Sequence, residues 1–154
     1  TGSGALAISI ALNSKYVVEG SDISNQALNV ANKNAITLNA NVKFRQNDLV
    51  NNVNTHYEII VANLPYVSKD MKKDLQTELS YEPEIALWVD GDGLDLYRKF
   101  FFQIKNMLFS PQHVITESSV NQHEIMQKIA NDNGYKLENI RGLAQHFVLN
   151  TLNY

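Results

Sequence analysis

The hydrophobic pattern of the chain switches repeatedly between two periods, and the switching predicts a sheet with helices between its strands. Apolar residues at helical spacing run from Ala5 to Leu12, straight out of the glycine turn Thr1-Gly2-Ser3-Gly4. Tyr16-Val17-Val18-Glu19-Gly20-Ser21-Asp22 reads as a strand ending in a carboxylate. The next helix is opened by Asp22 or Ser24 and carries Ala27, Leu28, Val30, Ala31 and Leu38 as its apolar stripe. Val42 to Gln46 alternates as a strand should and runs out at Asn47-Asp48. The uncharged run Ile59-Ile60-Val61 predicts a strand buried on both faces.

Between 67 and 90 the pattern is less regular. A helical turn is expected from Ser68 to Leu75, a break at Glu82-Pro83 and a short strand or packed loop from Ile85 to Val89. Asp90-Gly91-Asp92-Gly93 is a tight turn. From Leu94 to Leu108 a helix directs Leu96, Phe100, Ile104 and Met107 or Leu108 inward, and His113 to Glu117 is a strand. The helix from Asn121 to Asn133 turns Ile125, Met126, Ile129 and Ala130 inward and stops at Gly134. Tyr135 to Arg141 and His146 to Leu152 are two final strands, expected antiparallel. The fold class is α/β: a doubly wound, mostly parallel sheet with an antiparallel C-terminal hairpin, forming one domain over residues 1–154.

Composition narrows the function classes. With 44% hydrophobic and 19% charged residues, the chain is an ordinary globular domain. A net charge of −3 argues against a general grip on a nucleic-acid backbone. The absence of cysteine excludes disulfides, thiolate metal sites and cysteine nucleophiles. No apolar run approaches the roughly 20 residues that span a bilayer, and no signal peptide is visible. A soluble, cytoplasmic monomer is the expectation. The four histidines, His56, His113, His123 and His146, show no ligand spacing, and the acidic turn at 90–93 lacks the final Glu of a calcium loop. No metal is expected.

The candidate chemistry lies at strand ends. A glycine turn opening a helix lets the backbone approach a ligand and points N–H groups at it. Asp22, about twenty residues on, falls where a doubly wound sheet sets a carboxylate on a ribose; capping the next helix is its other possible role. Asp48 follows the next strand end, at the same rim, with a turn or cap role as its alternative. After the third strand, Asn63-Leu64-Pro65-Tyr66 offers a carboxamide, carbonyls beside a stiff proline and an aromatic ring, a combination that suits a planar nitrogen; a plain loop whose Asn caps and whose Tyr packs is the other reading.

These residues resemble the motif set of class I methyltransferases that use S-adenosylmethionine. The Asn-x-Pro-Tyr form is similar to those that methylate planar nitrogens in adenine, guanine or glutamine. Glu82-Pro83-Glu84-Ile85-Ala86-Leu87 and Asp92-Gly93-Leu94-Asp95-Leu96-Tyr97-Arg98 resemble two blocks of the HemK/PrmC release factor glutamine methyltransferases. The resemblance implies a Rossmann-like fold and transfer of a methyl group to the glutamine of the Gly-Gly-Gln loop of a peptide chain release factor. It implies cofactor contacts at Thr1, Gly2, Ser3, Gly4, Asp22, Ile23, Asp48, Leu49 and Asn63. Asn63, Pro65 and Tyr66 become the catalytic residues, and Asn63, Leu64, Pro65, Tyr66, Glu82 and Pro83 the substrate contacts. Two further readings stand beside it: an N-methyltransferase of adenine or guanine in nucleic acid, and a non-catalytic fragment of such a domain.

The chain departs from the family in several places. Leu64 stands where a first proline is usual, and His146 where an arginine is common. The strand and acidic residue that normally precede the glycine loop, and the helical substrate domain before them, have no counterpart in these residues. That strand is the central one of the sheet, so the expectation is a divided sheet and a chain inactive by itself.

Overall fold

The computed structural model describes residues 1–68, 88–89 and 92–150. The chain divides into two compact units, Thr1–Asn51 and Asn52–Tyr154.

In the first unit, α1 (Ala5–Asn13) starts directly after Gly4. Gly4 has φ 80°, and a Cβ there would lie 3.0 Å from both the Ala31 methyl and the Phe44 ring. Only glycine lets the turn sit this close to its neighbours. The strand β1 (Val18–Asp22) pairs in parallel with β2 (Val42–Gln46), Val18 opposite Val42 and Asp22 opposite Gln46. Tyr16 and Val17, expected in the strand, precede it and are exposed. Between the strands runs α2 (Asn25–Thr37), which buries Leu28, Ala31 and Ala35. Val30 and Leu38, expected on that stripe, are 47% and 53% exposed. Val30 is two positions from Leu28 and so faces the opposite side of a 3.6-residue turn. Leu38 lies beyond the last helical residue.

In the second unit, β3 (Ile59–Ala62) is followed by two short strands that pair in parallel, β4 (Val67–Ser68) and β5 (Trp88–Val89). Then come α3 (Asp95–Lys105), β6 (His113–Glu117), a single 3-10 turn at Val120–Gln122 and α4 (His123–Asp132). The hairpin of β7 (Tyr135–Arg141) and β8 (Ala144–Leu149) completes the unit. The sheet order is β3-β6-β8-β7, with β3 and β6 parallel and the other two pairs antiparallel. Val114, Thr116, Gln145 and Phe147 alternate on its covered face. Tyr97, Phe100, Phe101 and Ile104 of α3 and Met126, Ile129 and Ala130 of α4 are buried with them. Phe101 meets the rings of Phe100, Phe147 and Tyr135 at centroid distances of 5.5, 5.6 and 6.0 Å. Such edge-to-face and tilted pairs each add about 0.5–1.5 kcal/mol beyond their buried area.

Several expectations are corrected. β3 is not buried on both faces: Ile59 and Ile60 are half-buried and Val61 is 36% exposed, and among the described strands β3 has a neighbour on one side alone. In α3, Tyr97 and Phe101 fill the core, while Leu96 is half-buried and Leu108, beyond the helix, is exposed. Ile125 is 39% exposed, one position from buried Met126. The last strand begins at Ala144, two residues before the expected His146. Ser68 belongs to β4, whereas the rest of the expected helical turn, Glu82, Pro83, Ile85 to Leu87, Asp90 and Gly91 lie outside the described residues. The same holds for 151–154.

Among the described strands β1 hydrogen-bonds to β2 alone and β3 to β6 alone.

Candidate functional site

The first cluster gathers at the C-terminal end of the β1–β2 pair. Asp22 Oδ2 accepts from the Gly2 N–H at 2.8 Å and from the Thr1 backbone nitrogen at 2.9 Å, while Oδ1 accepts the Ser24 N–H at 2.9 Å. The carboxylate therefore fastens the glycine turn to the strand end. Ser24, not Asp22, is the cap of α2, since its hydroxyl accepts the Ala27 N–H at 3.3 Å. Burial alone would raise the Asp22 pKa, but the N–H groups of Ser24 and Gly2 together with the Thr1 ammonium outweigh it and hold the carboxyl below the ordinary range.

The end of β2 is tied to the same place. Asn47 donates its N–H to the Asp22 carbonyl at 3.0 Å, and Gln46 Nε2 donates to the Ile23 carbonyl at 2.9 Å. Asn47 Nδ2 reaches the carbonyls of Leu49 and Asn51, both at 3.2 Å, and Ser21 Oγ donates to the Leu49 carbonyl at 3.4 Å. These bonds support Leu49 at φ 56°, a left-handed conformation costly for a branched side chain and frequent where strain serves a site. The structure thus brings together Thr1, Gly2, Ser3, Gly4, Asp22, Ile23, Asp48 and Leu49. Ile23 is 63% exposed at this edge. Asn47, which does much of the tying, carried no signal in the sequence beyond its place at a strand end.

The second cluster surrounds the loop after β3. Ala62 is buried, Asn63 is exposed, and Leu64, Pro65 and Tyr66 are half-buried. Proline cannot continue the strand's donor pattern, so the loop takes its hydrogen bonds from behind. The fully buried Tyr97 hydroxyl accepts the Leu64 N–H at 3.0 Å and donates to the Glu117 carbonyl at 2.6 Å. The Tyr66 hydroxyl donates to Glu117 Oε1 at 3.0 Å. Burial first, then the Glu117 carboxylate, pushes the Tyr66 hydroxyl up to about 12 and keeps it a donor at neutral pH. Burial likewise raises the Tyr97 hydroxyl.

The block Asp92-Gly93-Leu94-Asp95-Leu96-Tyr97-Arg98 forms the wall behind this loop. Asp92 accepts Arg98 through both oxygens, at 2.8 and 2.6 Å, and the Leu94 N–H at 3.0 Å. The Arg98 hydrogen bonds lower the Asp92 pKa to about 2. Its stabilising contribution is therefore complete above the ordinary value of 3.8 and is lost as pH falls towards about 2. Arg98→Met should flatten that acid limb of a thermal-unfolding series; an unchanged limb would assign acid sensitivity to other carboxylates.

Gly93 has φ 83°, and a Cβ at this position would collide with the Tyr66 carbonyl oxygen. Gly93→Ala should cost about 1–3 kcal/mol, the range for a side chain forced into strained backbone. Urea denaturation checks this, and a variant as stable as the parent would show the contact to be dispensable. Glu82 and Pro83 lie outside the described residues.

Scattered in sequence, His113 and His146 are joined by the β6–β8 pairing, Nδ1 to Nε2 at 3.1 Å. Among the described residues, no group of three histidine or acidic side chains is placed to hold a metal. None of the described helices is long and apolar enough to cross a membrane.

The family model of the methyltransferase small domain matches residues 1–137. A release factor glutamine methyltransferase of Lactococcus lactis is 36% identical over 131 residues, which cover 84% of this chain and 48% of that protein. A ribosomal protein uL3 glutamine methyltransferase of Xanthomonas campestris is 40% identical over 117 residues, 74% of this chain and 36% of that protein. The chain spans about half or less of the length of these curated relatives. Among solved structures, a ribosomal protein L11 methylase from Lactobacillus delbrueckii superposes with a TM-score of 0.66 at 18% identity, covering 97% of this chain and 66% of that one.

Proposed function

The chain belongs to the methyltransferase small domain family and has its Rossmann-like α/β fold; from that membership we propose that residues 1–154 form the cofactor- and amide-binding part of an S-adenosylmethionine-dependent glutamine methyltransferase. The substrate we propose is the glutamine of the Gly-Gly-Gln loop in a peptide chain release factor. The observation that carries this reading is Asn63. It is exposed at the end of β3, on a loop pinned from behind through the Leu64 N–H and the Tyr66 hydroxyl.

The first cluster suits the cofactor. The turn Thr1-Gly2-Ser3-Gly4 offers backbone close to a helix N-terminus, and the carboxylates of Asp22 and Asp48 suit ribose hydroxyls and an amino group. Ile23 and Leu49 offer apolar cover at the same edge. When bound, S-adenosylmethionine supplies an electrophilic methyl group.

What remains for this chain is to hold a nitrogen in line with that methyl group. A glutamine amide nitrogen is a weak nucleophile because its lone pair is delocalised into the carbonyl. Accepting its N–H groups at the Asn63 side-chain oxygen and at a backbone carbonyl of Leu64-Pro65 favours the pyramidal nitrogen of the transition state. The Tyr66 carbonyl is already bonded to Gln122, and the Ala62 carbonyl lies 3.3 Å from the Tyr97 hydroxyl. The Tyr66 ring, anchored through its hydroxyl, presents a face for the amide plane. The methylated nitrogen is a strong acid and gives its extra proton to water, so no strong general base is required, in keeping with a site built from amide, carbonyl and phenol groups.

The uL3 enzyme's 40% identity supports a second reading, a glutamine in a ribosomal protein, which the same clamp would serve. Methyl-labelled cofactor offered with a release factor, ribosomal protein uL3 and an adenine- and guanine-bearing oligonucleotide separates the substrates. Label on the release factor glutamine supports the first reading, label on uL3 the second, and label on the oligonucleotide overturns both.

A further inference from the structure

We propose that Gln122 is a positioning residue of the amide clamp: its side-chain amide fixes the Asn63–Tyr66 loop against the Asp92-Gly93 turn and so sets the angle at which Asn63 meets a substrate. The binding consequence rests on the glutamine reading above, while the geometry stands by itself. Gln122 is 5% exposed, in the 3-10 turn between β6 and α4. Its Nε2 donates to the Tyr66 carbonyl and to the Asp92 carbonyl, both at 2.8 Å. Its Oε1 accepts the Ser119 N–H at 3.0 Å, closing a capping box that locks the side chain from the other end.

A carboxamide is well suited to this place. Its nitrogen carries two in-plane donors, and each is aimed at a different stretch of chain. The two stretches converge on one nitrogen because Gly93 has no Cβ, which would lie 2.8 Å from Gln122 Nε2. The loop is thereby held at three points: the Leu64 N–H on Tyr97, the Tyr66 hydroxyl on Glu117 and the Tyr66 carbonyl on Gln122. Asn63 is the exposed residue among them. Displacement of a reacting group by about 1 Å costs on the order of 10²-fold in rate, so supports that never touch substrate still govern it. Gln122 acts in this way, through Tyr66.

The test compares Gln122→Met and Gln122→Glu in the full chain. Methionine keeps the length and removes every hydrogen bond. Glutamate keeps the acceptor for Ser119 but sets a carboxylate against two carbonyls until it is protonated, when one O–H can donate. The probes are the carbonyl carbon shifts of Tyr66 and Asp92 by NMR and the affinity for a Gly-Gly-Gln tripeptide amide. Both variants should move the two carbonyl signals and weaken the peptide on the order of tenfold, because the loop is no longer held beforehand at its binding angle. Between about pH 8 and about pH 5 the Glu variant should recover towards the parent and the Met variant should not, because only a buried carboxyl regains a proton. Parent-like carbonyl shifts in both variants, or an equally flat pH response in both, would overturn the assignment. If the parent itself fails to bind the tripeptide, the glutamine reading falls, while the carbonyl shifts and their pH recovery still decide the role of Gln122.

Discussion

Asn63→Ala should remove on the order of 10²-fold or more from kcat/KM of the intact protein, by analogy with the loss of one preorganised transition-state contact. Affinity for S-adenosylmethionine should stay within a few-fold, since the carboxamide is proposed to act chiefly on the substrate amide. Asn63 is exposed, so its truncation leaves the buried supports of the loop in place and should move stability by less than about 0.5 kcal/mol. Steady-state kinetics with a Gly-Gly-Gln peptide, run beside calorimetry with the cofactor, separates the two effects. Equal turnover in variant and parent would remove Asn63 from the clamp.

Asp22→Ala should weaken S-adenosylmethionine by about 1.5–3 kcal/mol, the range for hydrogen bonds to a charged group. It should also loosen the glycine turn, because Gly2 and Ser24 lose the acceptor that fixes their N–H groups. The two consequences are separable. Ser24→Ala removes the helix cap alone, which costs about 0.5–2 kcal/mol of stability and should leave cofactor affinity near the parent value. Calorimetry on both variants decides the matter. An Asp22 variant that loses stability but no affinity would make the carboxylate a purely structural clasp.

Much of the fold was legible because its periods are clear. The β-branched and alternating runs placed β2 at Val42–Gln46 and β6 at His113–Glu117 at their observed limits, and Gly134 correctly marked the end of the helix before β7. The inward faces were less legible where alanine does the packing. Ala35 is buried in α2 while the larger Val30 is exposed, because close helix approach rewards a small side chain in the right direction. The burial of β3 was overestimated for a different reason: an apolar run reports what a strand prefers, whereas its neighbours decide what covers it.

The candidate site divides similarly. Asp22 was visible at a strand end, yet its hold on Gly2 and Ser24 depends on a turn that returns to it across the chain. Asn63 to Tyr66 stood out from Pro65 and the aromatic ring. Tyr97 lay within a recognised block, but no local spacing discloses that its hydroxyl receives the Leu64 N–H. Glu117 and Gln122 gave no signal at all. Their roles arise from β6 lying beside β3, a long-range pairing that brings the residues after one strand end to those after the other.

Methyl transfer to a defined amide is the decisive measurement. The intact protein, S-adenosylmethionine carrying a labelled methyl group and a release factor are incubated together, and the Gly-Gly-Gln peptide is recovered for mass spectrometry. One added methyl group is expected on the glutamine side-chain nitrogen, and none when that glutamine is replaced by glutamate. Label that persists after the replacement, or that appears instead on a nucleic acid, would contradict the glutamine reading.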